Sequence, residues 1–165
     1  MTPSLTRRSA GIQHLGLVAV AAVALVVLPR PAAAQNKVSC EVIEIHASTG
    51  TAPKIPDELK PLAKKLKKPP FSAWNVFKVL SRASKTIENL KSVQLKLSMG
   101  QASLLVRDIK PGAKKARIGL TVTVDDQKGK RVLDTKVNAD AGDYLVVGRS
   151  LGESAGHLLA LTCRP

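Results

Sequence analysis

The residues RIGLTVTVD, Arg117 to Asp125, alternate without a break: Ile118, Leu120, Val122 and Val124 fall on one side of an extended chain, Gly119, Thr121 and Thr123 on the other. Successive side chains of a strand point to opposite faces, so this period of two demands a sheet with one face buried and argues against a helix. The pattern recurs. KVSCEVIEIHA, residues 37 to 47, carries branched apolar residues at near-alternate positions, and SVQLKLS carries Val93, Leu95 and Leu97. ASLLVRDI, RVLDTKVN and two final segments centred on Leu145-Val146-Val147 and Leu159-Ala160-Leu161 continue it. Met99-Gly100, Pro111-Gly112 and Lys128-Gly129-Lys130 stand between them as turn signals. Short strands at near-regular spacing predict a mainly β protein, an antiparallel β-sandwich or partly open barrel of about seven to eight strands. Apart from one short segment, no helix separates successive strands, as a parallel sheet would require.

One segment departs from this period. From Asp57 to Lys68, Leu59, Leu62, Ala63 and Leu66 fall at helical spacing, with Lys60, Lys64, Lys65, Lys67 and Lys68 around them. This predicts one short basic helix, its start unsettled by Pro61, which has no N–H to donate within a helix, and its end set by Pro69-Pro70. The following FSAWNVFKVLSRASKTIENL holds Phe71, Trp74 and Phe77. It reads as a turn and then a strand.

The first residues read as a secretory signal: Arg7 and Arg8 precede an apolar run from Leu15 to Leu28, and Ala32-Ala33-Ala34 offers a small-residue cleavage site. The run of 14 residues spans about 21 Å as a helix, short of the roughly 30 Å hydrocarbon core. Cleavage after Ala34 leaves residues 35 to 165 as a single β-rich domain, periplasmic or extracellular. Loss of Arg7, Arg8 and Arg30, with no acid, lowers the formal charge from +14 to +11. Seventeen of the 23 remaining basic residues are Lys, a hydrated point charge suited to diffuse attraction rather than shaped recognition. The only cysteines, Cys40 and Cys163, lie in the first and last apolar segments of this domain, and in an oxidising compartment they are expected to pair. A metal site is not expected, since only His46 and His157 remain and neither CxxC nor HxxxH spacing occurs.

An exported leader, an opening strand, a KPLAKKLKKPPF helix exit, a β meander and a Gly-flanked last strand resemble small uncharacterised secreted or periplasmic β-rich proteins of Gram-negative bacteria. The resemblance spans most of residues 35 to 165. It implies an exported β-rich domain and carries over no functional residue, because none of these elements is a catalytic motif.

The one sequence that suggests catalysis is Gly148-Arg149-Ser150-Leu151-Gly152, which matches the G-x-S-x-G nucleophile elbow after an apolar strand. An elbow needs a strand-turn-helix on a parallel sheet, with an acid and a His later in the chain. Only 15 residues follow Ser150, holding Glu153 and His157, too close in sequence to fold back as base and orienting carboxylate. A loop between paired strands explains the glycines more simply. His46 with Glu44, or His157 with Glu153, can be drawn as proton-transfer pairs, though a lone His on a strand is more often a satisfied residue. Asp125-Asp126 reads as part of a hairpin turn. The leading expectation is therefore an exported, non-catalytic β-sandwich without a cofactor, acting as an envelope component or interaction module. The alternatives are a secreted serine hydrolase using Ser150, or a domain that binds a polyanion or membrane surface through the basic helix. Partners in that last case are an anionic envelope polymer, lipid headgroups or an envelope protein. Nucleic acid fits poorly, because no aromatic stacking platform accompanies the charge and export removes the usual partner.

Overall fold

A computed structural model describes residues 36 to 165. The signal segment read from residues 1 to 34 lies outside the described residues. Eight strands follow: β1 (Lys37–Ser48), β2 (Val76–Glu88), β3 (Ser92–Leu97), β4 (Gly100–Lys110), β5 (Arg117–Asp126), β6 (Arg131–Asp140), β7 (Leu145–Ser150) and β8 (Ala155–Arg164). They form two four-stranded antiparallel sheets, in the orders β2-β1-β8-β7 and β3-β4-β5-β6. The chain passes to the second sheet after β2, runs through it as a meander, and returns after β6. The sheets do not close into a barrel, as the expected β-sandwich requires.

Alternation decides which side chains enter the space between the sheets. Val38, Cys40 and Val42 of β1 and Leu159, Leu161 and Cys163 of β8 meet Leu104 and Val106 of β4 and Ile118, Leu120, Val122 and Val124 of β5 in one buried cluster. The four residues of β5 are those its sequence places on a common face. The other face of the first sheet is also covered, at one end. Ile43, Ile45 and Ala47 of β1, Phe77 of β2 and Leu158 and Ala160 of β8 pack against Leu59, Leu62 and Leu66. β1 and β8 are therefore buried on both sides there, which is why β8 reads as a nearly continuous apolar run.

The covering segment winds more tightly than an α-helix over most of its length. Asp57–Leu62 is a 3-10 helix and only Ala63–Leu66, α1, makes an α-helical turn. Leu59 and Leu62 are three apart, the repeat of a 3-10 helix, and Pro61 removes a donor that a longer α-helix would need. All three leucines are essentially inaccessible to solvent, each stabilising the fold by about 2 kcal/mol. A short 3-10 turn, Phe71–Ala73, then leads into β2, as the sequence predicts.

β1 and β8 lie side by side, with Cys40 directly opposite Cys163. The two are joined by a disulfide, their Cα atoms 4.1 Å apart across 123 positions of sequence. The covalent bridge spans nearly the whole domain.

Candidate functional site

Burial of Leu59, Leu62 and Leu66 against the sheet forces the intervening lysines outward. Lys60, Lys64, Lys65, Lys67 and Lys68 are all exposed. Lys60 pairs with Asp57 at 3.0 Å. Among the described residues Lys64, Lys65, Lys67 and Lys68 make no ion pair. The loop between β4 and β5 adds a second basic group, in which Lys110, Lys114, Lys115 and Arg117 line an open groove together with Asp140 and Asp143. The two groups approach each other at Asp143. Its carboxyl is held below the ordinary range, first by the hydrogen bond from Lys115, against the opposing effect of desolvation, then by the charges of Lys115 and Lys65. Asp143, in the β6–β7 turn, thus lies within electrostatic reach of both Lys65 and the β4–β5 loop lysine Lys115.

Among the described residues, one buried charged cluster sits between the sheets. In β1, Glu44 continues the inward series Val38, Cys40, Val42 and is completely inaccessible to solvent. Glu44 Oε1 accepts a hydrogen bond from the Met99 amide at 2.9 Å and lies 3.0 Å from His157 Nε2. Glu44 Oε2 accepts from Ser81 Oγ at 2.6 Å and from the Ser98 amide at 2.7 Å. Burial raises the carboxyl pKa, but the bonds from His157, Ser81, Ser98 and Met99 together outweigh it and bring the pKa from 4.5 down to about 2. Glu44 is ionised, so His157 Nε2 carries the proton and donates. The carboxylate joins β1, β2 and β8 of the first sheet to the β3–β4 turn of the second. It pins one sheet to the other.

The order of these groups decides their chemistry. In a nucleophilic relay the imidazole lies between hydroxyl and carboxylate and takes the hydroxyl proton. Here the carboxylate is in the middle, Ser81 donates to it directly, and Glu44 is the only side chain that His157 bonds among the described residues. The sequence offered Glu44 with His46 and His157 with Glu153; the structure joins one member of each pair, and Glu153 stays exposed in the β7–β8 turn. Counting positions would have placed Glu44 inward, since it stands two after Val42. Its partners, separated from it by as many as 113 positions, had no local signal.

Ser150 ends β7 and pairs across an antiparallel hairpin with Gly156 of β8. The elbow requires a helix after the serine and a parallel sheet before it, and the hairpin supplies neither. The Ser150 hydroxyl is engaged within its own turn, donating to the Gly152 carbonyl and accepting from the Gly152 amide at 3.2 Å. Gly152, at φ 129°, holds a left-handed conformation that few other residues would adopt without strain. Asp126 closes the β5–β6 turn as expected, its Oδ1 accepting from the amides of Lys128 and Lys130, each at 2.9 Å. Phe71 and Trp74 are half-buried against the outer apolar layer.

No protein-family model and no curated protein matches this chain.

Proposed function

We propose that this β-sandwich is an exported, non-catalytic binding domain that attaches to phosphate- or carboxylate-bearing polymers or lipid headgroups of the cell envelope. The observation that carries the reading is the basic segment: three leucines anchor it to the sheet, and Lys64, Lys65, Lys67 and Lys68 are exposed and make no ion pair among the described residues. Like charges crowded on fewer than four turns repel one another, and a polyanion relieves that repulsion. The β4–β5 loop lysines enlarge the field, and the disulfide suits an oxidising compartment.

Cosedimentation with anionic and neutral vesicles, and with cell-wall fragments, across a salt series tests it. Each lysine near an anionic surface contributes about 1 kcal/mol, so changing Lys64, Lys65, Lys67 and Lys68 to Gln should weaken binding at low salt by about two to three orders of magnitude. Equal binding by both proteins, or none by either, would remove the positive surface from any functional account.

A further inference from the structure

Beside the basic segment lies an apolar groove that attraction to a charged surface does not use. Five apolar residues, Leu66, Trp74 and Phe77 among them, line it together with Ser72, Asn75 and one charged side chain, Lys67, and its volume is about 360 Å³. That volume is at the lower end of the range for small-molecule sites.

Hydrogen bonds fix both walls. The Asn75 side chain accepts from the Gly50 amide and donates to the Gly50 carbonyl, each at 2.8 Å. The Lys54 amide donates to the Asn75 carbonyl at 2.8 Å and the Phe77 amide to the Lys54 carbonyl at 2.9 Å. The Trp74 ring also lies against β8 at Gly156, where a Cβ would stand 2.6 Å from Cζ2 and Cη2 of the indole. The backbone on the Pro53–Ile55 and Trp74–Phe77 sides of the groove is thus held in place before any ligand arrives.

We infer that this groove binds the hydrocarbon chain of a single-chain acyl carboxylate, with Lys67 receiving the carboxylate. The five apolar residues suit methylene groups, and among the described residues one cation and no acid line the groove. This goes beyond the surface reading and shares with it only Lys67.

Trp74 is the sole tryptophan of the chain and reports directly on the groove. The test titrates the protein with 12-bromododecanoate below its micellar concentration, since bromine in contact with an indole quenches its fluorescence. Saturable quenching is expected, reversed by unlabelled fatty acids whose affinity rises about fourfold per added methylene from decanoate to dodecanoate. Lys67→Gln should weaken binding about two- to fivefold, and a brominated chain bearing trimethylammonium should bind at least that much more weakly than the carboxylate. Ile55→Asp, its fold checked by circular dichroism and melting, should abolish saturable quenching. The exposed Lys67→Gln variant and the carboxylate-to-ammonium contrast stand without it. A triple change of Lys64, Lys65 and Lys68 to Gln, with Lys67 kept, should lose vesicle binding yet retain quenching by the monomer, so the surface reading and the groove fail separately. Absence of saturable quenching, equal binding of the ammonium chain, or quenching only by vesicles of brominated phospholipid would overturn the inference.

Discussion

Glu44→Gln preserves the shape of the side chain that pins the two sheets while removing its charge. Four donors converge on this carboxylate: Ser81 Oγ, the Ser98 and Met99 amides and His157 Nε2. An amide offers one acceptor oxygen and brings two N–H donors into a site already made of donors, so at least one bond becomes a clash of like groups. The charge effect follows from the pKa of about 2 in the folded protein against 4.5 ordinarily. That difference corresponds to about 3 kcal/mol. Because the folded pKa is the lower one, the contribution is fully present above pH 4.5 and is lost as the pH falls through about 2. At pH 7 the variant should therefore melt about 10 °C below the natural protein, a gap that shrinks steadily between pH 4.5 and 2. Urea unfolding followed by circular dichroism at several pH values measures the same difference directly. A gap that is absent at pH 7, or that persists unchanged at pH 2, would show that the carboxylate is not the ionised pin described here.

Two further expectations concern the ends of the chain. Reduction of the Cys40–Cys163 bridge, which closes a loop of 123 positions, should lower the unfolding free energy by about 5 kcal/mol on the chain-entropy account. The folded protein isolated without reductant should have a mass two hydrogens below that of the dithiol, and two alkylatable thiols in that material would refute the pairing. Ser150→Ala removes only hydrogen bonds within a turn and should cost no more than about 1 kcal/mol in the same unfolding assay. A serine-reactive fluorophosphonate should leave the protein unlabelled, whereas stoichiometric labelling at Ser150 would restore the hydrolase reading.

The strands were legible in the sequence because their signal is local. In β5 the positions of Ile118, Leu120, Val122 and Val124 announce the buried face, and the structure keeps every one of them there. Cys40 and Cys163 were legible for a different reason, since two thiols in the outermost strands of one domain have no other partner. The path of the segment from Asp57 to Leu66 was only half readable. Its buried leucines were evident from their spacing, but the choice between 3-10 and α winding depends on how Pro61 and the sheet beneath are accommodated. The Glu44 cluster lay beyond local reading. Its donors arrive from β2, the β3–β4 turn and β8, brought together only by strand register and by the closing of one sheet over the other. The apolar groove likewise combines residues on both sides of the basic segment, and its walls exist only once Asn75 has captured Gly50.

The bridge between the neighbouring first and last strands also sets how the domain answers to tension. Ser39 lies opposite Arg164, so chain entering before β1 and leaving after β8 meets the sandwich at the same end. A pull between those two points is carried across one covalent link, and the segments from Glu41 to Thr162 stay outside the loaded path. Such a domain, held at both ends, bears force without unravelling. Only reduction would expose the β1–β8 ladder to being opened rung by rung, starting from the pair at Ser39 and Arg164 and running towards the turn-side pair of Ser48 and Ala155.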